Sequence, residues 1–215
     1  MSADARFYWD EKHKKYSEQE WITRPSLFAQ WAIQFFSAEG RILDVGCGQA
    51  QDTRYFAERG YDLVGIDFSE EGLRAAKNKL PPELDARIHF EQADISKPLL
   101  FSALSFDAVY SHLAIHYFDH GTTEEIFNEF HRVLKPGGIC AILVNSVHDP
   151  EYGIGEKIET DYFKIGGIAK RYFSAASLSE FARKFEIVIC DENGEAYKDR
   201  NVGTVHLVRL IARKV

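Results

Sequence analysis

Short apolar runs rich in Val and Ile alternate with amphipathic stretches along most of the chain. The alternation predicts strands at Arg41–Val45, Asp62–Asp67, Ile88–Gln92, Phe106–Ser111, Gly138–Asn145, Glu186–Asp191 and His206–Arg213. Between them, Glu70–Leu80 sets Leu73, Ala76 and Leu80 on one face, and Thr122–Leu134 does the same with Ile126, Phe127, Phe130, Val133 and Leu134. Such spacing predicts helices with one buried side. Thr122-x-x-Glu125 and Ser177-x-x-Glu180 read as capping boxes, and Gly60 and Pro136-Gly137-Gly138 as stops. Regular strand-helix alternation predicts an α/β, doubly wound, mostly parallel seven-stranded sheet with helices on both faces, in a single domain spanning residues 1–215.

Two segments fall outside the alternation. Residues 1–23 carry Phe7, Tyr8, Trp9, Tyr16 and Trp21 and lead into a helix with Leu27, Phe28, Trp31 and Phe35 on one side. Residues 146–173 combine Gly153, Gly155, Gly166 and Gly167 with Tyr152, Tyr162, Phe163, Tyr172 and Phe173, too many aromatics for a linker and too many glycines for a helix. Residues 1–36 are expected to form an aromatic lid and helix, and residues 146–173 an insert over an acceptor pocket.

Composition narrows the chemistry. A formal charge of −7 argues against general nucleic-acid binding, since binders of the phosphate backbone concentrate Lys and Arg. Cys47, Cys140 and Cys190 stand far apart, without C-x-x-C spacing, and are expected to be free thiols in a reducing compartment. The charged, aromatic N-terminus is unlike a signal peptide, and the longest apolar run is too short to cross a bilayer. A cytoplasmic location without membrane association is expected, as a monomer or homodimer.

The stretch RILDVGCGQAQDT ends a strand on Val45 and turns through Gly46-Cys47-Gly48 into a polar helix start. In a doubly wound sheet that turn lies at the carboxyl edge, where ligands bind. Asp67 ends the next strand 23 residues after Asp44, the placement that reads ribose hydroxyls. The third glycine of the dinucleotide fingerprint is replaced by Gln51, and Asp44 beside the turn would repel a pyrophosphate. A cationic, phosphate-free nucleoside fits better, and S-adenosylmethionine is such a cofactor.

At these residues the chain resembles the class I S-adenosylmethionine-dependent methyltransferases, a Rossmann-like family. ILDVGCGQAQD resembles the glycine-rich first motif, VGIDFS the ribose motif, FEQADISKPL the adenine motif, FDAVYSHLAIHYF the segment after strand four, and HRVLKPGGICAILV the fifth-strand motif, covering residues 41–145 in order. The resemblance implies Asp44, Gly46, Cys47 and Gly48 at the methionine end of the cofactor, Asp67 at the ribose, Phe68 on the adenine face, Asp94 and Ile95 at the adenine edge, and Ser111, His112 and Leu113 lining the cofactor. It places His116 and Tyr117 at the acceptor, with His116 a candidate base. Cys47 itself reads as a small packed side chain.

His112, His116 and His120 stand at i, i+4 and i+8, but no carboxylate ligand or H-E-x-x-H accompanies them, so no metal is expected. Asn/Asp-Pro-Pro-Tyr is absent where Ser111-His112-Leu113-Ala114 stands, which lowers nucleobase and glutamine acceptors and favours a small molecule. Its pocket is expected to use Tyr8, Trp9, Tyr16, Trp21, Asn145 and Tyr152. The alternatives are a nicotinamide-dependent oxidoreductase and a non-catalytic S-adenosylmethionine-binding partner subunit.

Overall fold

The computed structural model describes residues 3–195 and 206–215, without the side chains of residues 3–5, 20, 21, 195 and 206. Its main sheet contains β1 (Arg41–Val45), β2 (Asp62–Asp67), β3 (Ile88–Gln92), β4 (Phe106–His112), β5 (Leu134–Asn145), β9 (Glu186–Glu195) and β10 (His206–Arg213), in the order β3-β2-β1-β4-β5-β10-β9. The first five are mutually parallel; β10 runs antiparallel to both β5 and β9. The chain leaves β1 toward β2 on one side and returns at β4 on the other. The crevice between β1 and β4 is therefore the topological switch point, where such sheets bind ligands.

Side-chain alternation along each strand divides the core into two layers. On one face Leu43, Val45, Val109 and Ile142 pack under α5 (His120–Val133) and α6 (Ala175–Phe181) through Phe127, Phe130, Leu178 and Phe181. On the other, Ile42, Leu63, Tyr110 and Leu143 meet α2 (Leu27–Ala32), α3 (Gln51–Ala57) and α4 (Glu70–Asn78) through Phe28, Ala29, Phe56 and Leu73. The helix predicted around Leu27 and Phe28 thus belongs to the core. α1 (Ala3–Tyr16), by contrast, rests on the N-terminal end of α4.

Three expectations change. The helices near Thr122 and Ser177 begin about one turn earlier: Asp119 caps α5 by accepting from the Thr122 amide at 2.8 Å, and Ser174 forms a reciprocal box with Ser177. Thr122 and Ser177 are polar because they complete those caps, not because they start them. Second, residues 146–173 hold a three-stranded antiparallel sheet, β6 (Glu156–Glu159), β7 (Tyr162–Ile165) and β8 (Ile168–Arg171). Gly166 and Gly167, at φ +57° and +89°, make the two-residue turn that pairs Ile165 with Ile168. Positive φ at both central residues is the geometry that lets flanking strands twist together. Third, His112, His116 and His120 share no helix face. They fall on the end of β4, a 3₁₀ turn at Ile115–Tyr117 and the first residue of α5. No group of three or more His, Cys, Asp or Glu suited to a metal occurs among the described residues. Nor is any helix among them long and apolar enough to cross a membrane.

Candidate active site

A cavity of about 370 Å³ opens at the switch point. One wall is the turn after β1. The amides of Gly46 and Cys47 both donate to the Ile66 carbonyl, at 2.8 and 3.0 Å, and the Gly48 amide donates to Asp67 Oδ2 at 2.8 Å. These donors hold the turn onto β2, so no amide cradle for a phosphate is formed. Asp67 also accepts from the Ser69 amide at 2.8 Å, which fixes its carboxylate at the tip of β2 while leaving lone pairs for a ligand.

The glycines are required by protein packing. Gly46 has φ +75°, and a Cβ on it would come within 2.2 Å of the Ala114 Cβ. Gly48 has φ +53°, and its Cβ would lie 2.9 Å from His13 Cε1. The turn is therefore gripped from one side by the segment after β4 and from the other by α1.

Asp44 is 2% exposed and accepts from Thr53 Oγ1 at 2.6 Å. Burial, with Asp52 and Asp67 nearby and the Thr53 bond opposing, pushes its carboxyl up to about 8. Asp52, also buried, is committed to structure: it accepts from the Ser26 amide, Ser26 Oγ and Tyr110 Oη at 2.6, 2.8 and 2.7 Å, joining α3 to α2 and β4. Asp44, Asp52 and Asp67 thus line this end of the cavity, where a bound cation would favour the ionised form of Asp44 and a pyrophosphate would oppose it. Burial likewise raises the Cys47 thiol well above its ordinary value, consistent with a packed side chain.

Phe68, Ala93, Asp94 and Ile95 continue the wall past β2 and β3. The Arg6 guanidinium stands 5.0 Å from the centre of the Phe68 ring. His112 and Leu113 line the cavity after β4, with Leu113 held at φ +56° by its amide bond to Leu143 O at 2.9 Å. A non-glycine residue in the left-handed region costs energy, and here, directly after β4, it redirects the chain toward Ala114 and the 3₁₀ turn at Ile115–Tyr117. Ser111 lies beneath: it is fully buried, and its hydroxyl donates to Val45 O at 3.1 Å, tying the ends of β4 and β1.

The other half of the cavity is lined by Trp9, Tyr16, His116, Tyr117, Asn145, Asp149, Glu151 and Lys170, among others. Trp9 meets Tyr117 edge to face at 4.9 Å. His116 is 2% exposed, and its Nδ1 is buried without a hydrogen-bond partner. Burial first, then Lys170 and His112, pushes its imidazole down to about 3, so it is neutral throughout the physiological range. Lys170 Nζ donates to Glu151 at 2.5 Å, leaving further ammonium protons for other acceptors. Sequence reasoning missed Lys170, which β8 brings to the cavity, and Asp149 and Glu151, which come from the loop between β5 and β6.

Two residues expected in this pocket lie off its lining. Tyr8 packs edge-on against Trp9 at 5.3 Å, and Tyr152 is 38% exposed, donating to Asp161 at 2.7 Å and packing on Phe163 and Tyr172. The Trp21 side chain falls outside the described residues.

A doubly wound sheet with a glycine turn, an acid at the tip of its second strand and an acidic crevice at the switch point is an arrangement that suits a nucleoside ligand. A family model described as a methyltransferase domain matches residues 42–138. With the relatives below, this makes residues 42–138 similar to the methyltransferase domains of S-adenosylmethionine-dependent enzymes.

The chain is 31% identical over 129 residues to a malonyl-[acyl-carrier protein] O-methyltransferase of Enterobacter lignolyticus, covering 60% of this chain and 47% of that one. It is 34% identical over 110 residues to a methyltransferase of Synechocystis, covering 51% and 48%. The chain thus spans about half the length of these curated relatives. Among solved structures, a Methanosarcina mazei S-adenosylmethionine-dependent methyltransferase superposes with a TM-score of 0.73 at 23% identity, covering 86% of this chain and 97% of that one. A Burkholderia thailandensis 1,6-didemethyltoxoflavin-N1-methyltransferase, solved with S-adenosylhomocysteine, superposes with a TM-score of 0.74 at 19% identity, covering 99% and 86%. At these identities the structures establish the fold. The nicotinamide alternative finds no support in these relatives.

Proposed function

We propose that the protein transfers the methyl group of S-adenosylmethionine to a small-molecule acceptor by in-line displacement. The observation that carries this reading is the continuity of one cavity, acidic and glycine-walled at the β1–β2 end, aromatic and mixed in charge at the Trp9–Tyr117–Lys170 end. The cofactor supplies a methyl electrophile on a cationic sulfur, whose leaving group is a neutral thioether.

The chain's own residues then have positioning roles. Asp67 accepts from ribose hydroxyls, Phe68 and Ile95 flank the adenine, Asp94 takes its amino group, and buried Asp44 meets the cationic methionine end. Trp9, Tyr16 and Tyr117 give aromatic faces that attract a sulfonium and exclude water. Alignment of two bound reactants is worth roughly 7 to 11 kcal/mol at best, enough that no triad or metal is required. His116 is a neutral hydrogen-bonding contact for the acceptor. An imidazole pushed down to about 3 is too weak a base to take a proton efficiently at neutral pH. His116 therefore does not supply the base that an acceptor arriving protonated would need. Asn145 and Lys170 orient that acceptor.

Titration calorimetry with S-adenosylhomocysteine against NAD tests the cofactor half. Binding of NAD alone would overturn it. A screen of small acceptors with radiolabelled methyl donor tests the other half: transfer to a small molecule supports the proposal. Silence across amines, carboxylates, phenols and thiols, with donor bound tightly, would point instead to a non-catalytic partner subunit.

A further inference from the structure

Cofactor contacts inferred from the strand tips leave one buried group at the cavity wall unused. His13, in the last turn of α1, is 7% exposed, lines the cavity, and has a buried Nδ1 with no hydrogen-bond partner. Its ring fills a gap left by two glycines. A Cβ at Gly48 would lie 2.9 Å from His13 Cε1, and one at Gly72 would lie 3.1 Å from Cδ2 and Nε2. Trp9 and Tyr16 flank it at ring-centre distances of 6.3 and 5.9 Å.

The backbone around it is fastened to the cofactor loops. Gln49, the residue after Gly48, donates from Nε2 to the His13 carbonyl at 2.7 Å, and its Oε1 accepts from Ser17 Oγ at 3.1 Å and Lys79 Nζ at 2.7 Å. Asp10, one helical turn earlier, accepts from Ser69 Oγ at 2.5 Å and the Glu71 amide at 3.3 Å. α1 is thereby held to the turn after β1 and to the start of α4, the two loops that flank Asp67. Among the carboxylates acting on the imidazole, Asp67 acts most strongly.

A phenyl ring would fill this gap without leaving a buried nitrogen unsatisfied, a deficit that costs stability. The placement makes sense if a ligand supplies the missing partner. We propose that His13 is a cofactor-binding residue that hydrogen-bonds the ribose hydroxyls alongside Asp67, so that the N-terminal helix forms part of the cofactor site. The neutral imidazole carries one donor and one acceptor, whereas the Asp67 carboxylate only accepts, so the pair can satisfy adjacent hydroxyls in both senses. This inference rests on the S-adenosylmethionine reading of the cavity.

The test compares wild type, His13→Phe and His13→Gln by calorimetry with S-adenosylhomocysteine and with its 2′,3′-dideoxyribose analogue. Phe keeps the ring that fills the glycine gap, and Gln keeps hydrogen-bonding capacity if Phe disturbs folding. The expected result is about a tenfold loss of S-adenosylhomocysteine affinity in His13→Phe, partial recovery in His13→Gln, and equal affinity of all three proteins for the dideoxy analogue. Wild-type affinity in His13→Phe, or the same loss for both ligands, would overturn the proposal while leaving the cofactor reading intact. A wild-type protein that bound neither ligand would overturn both.

Discussion

Gly46→Ala is the sharpest probe of how the glycine turn is built. The added Cβ meets two obstacles, both internal to the protein: φ of +75° and the Ala114 Cβ at 2.2 Å. An L side chain in the left-handed region costs about 1 to 2 kcal/mol. Overpacking at a site that cannot give costs about 1 to 3 kcal/mol more, and Ala114 has no flexible end to move aside. Together they predict a loss of about 2 to 5 kcal/mol, which in a domain of this size lowers Tm by roughly 5 to 15 °C.

The diagnostic is the double variant Gly46→Ala/Ala114→Gly. Deleting the Ala114 methyl removes the overlap but not the backbone cost, so about half of the lost Tm should return. S-adenosylhomocysteine affinity, weakened in the single variant because the turn must shift, should recover with it. Thermal melts and calorimetry on the two single variants and the double variant decide the matter. A double variant as unstable as Gly46→Ala would refute the packing argument. One that regained stability but stayed blind to cofactor would show instead that the Cβ intrudes on the methionine moiety.

Asp67→Asn should weaken S-adenosylhomocysteine binding tenfold to a hundredfold, from loss of charge-assisted bonds worth about 1.5 to 3 kcal/mol, and should also lower Tm, since the Gly48 and Ser69 amides lose a charged acceptor; unchanged calorimetric affinity in a folded variant would remove the ribose assignment. Asp44, raised from 3.8 to about 8 on folding, contributes stability that is complete below about pH 4 and is lost as pH rises through about 8. Urea unfolding of ligand-free wild type should therefore show a fall on the order of 5 kcal/mol across that window that Asp44→Asn lacks, and parallel profiles would contradict the raised carboxyl. His116→Phe should lower kcat with S-adenosylhomocysteine affinity kept, and wild-type kcat should show no ionisation near pH 6.5, because an imidazole near 3 does not titrate there; a rate that rose through an ionisation near 6.5 and lost that step in the variant would reinstate His116 as a base.

What the sequence reveals and conceals follows from how each half of the cavity is assembled. Asp44, Gly46, Gly48, Asp67 and Asp94 all stand at or just past strand ends, so the strand period that locates the strands also locates them. Positions of this kind are local in sequence and legible there. The glycines were legible as a turn but not in their cause, since the atoms that demand them belong to Ala114 and His13, more than thirty residues away in each case. The β6–β8 sheet had a readable signal in Ile165-Gly166-Gly167-Ile168, a two-glycine hairpin flanked by β-branched residues. α1 had one in Trp9, His13 and Tyr16, which recur at i, i+4 and i+7 on one helical face.

The acceptor half obeys a different rule. Trp9 comes from α1, Tyr117 from the turn after β4, Asn145 from the end of β5 and Lys170 from β8, and these elements converge only once the sheet is wound and the hairpin sheet has folded back over its edge. No spacing along the chain encodes that meeting. Lys170 even reads as half of a solvated Lys-Arg pair, yet its ammonium sits against Glu151 at the cavity, while Arg171 turns inward to Glu159 and the Phe118 carbonyl. Adjacent strand residues point to opposite faces, so one basic dipeptide supplies the cavity with a charge and the hairpin sheet with its anchor. On the proposed function, the insert contributes Lys170 to the acceptor end of the cavity, while the strand-tip residues of the other half come from β1, β2 and the segment after β3.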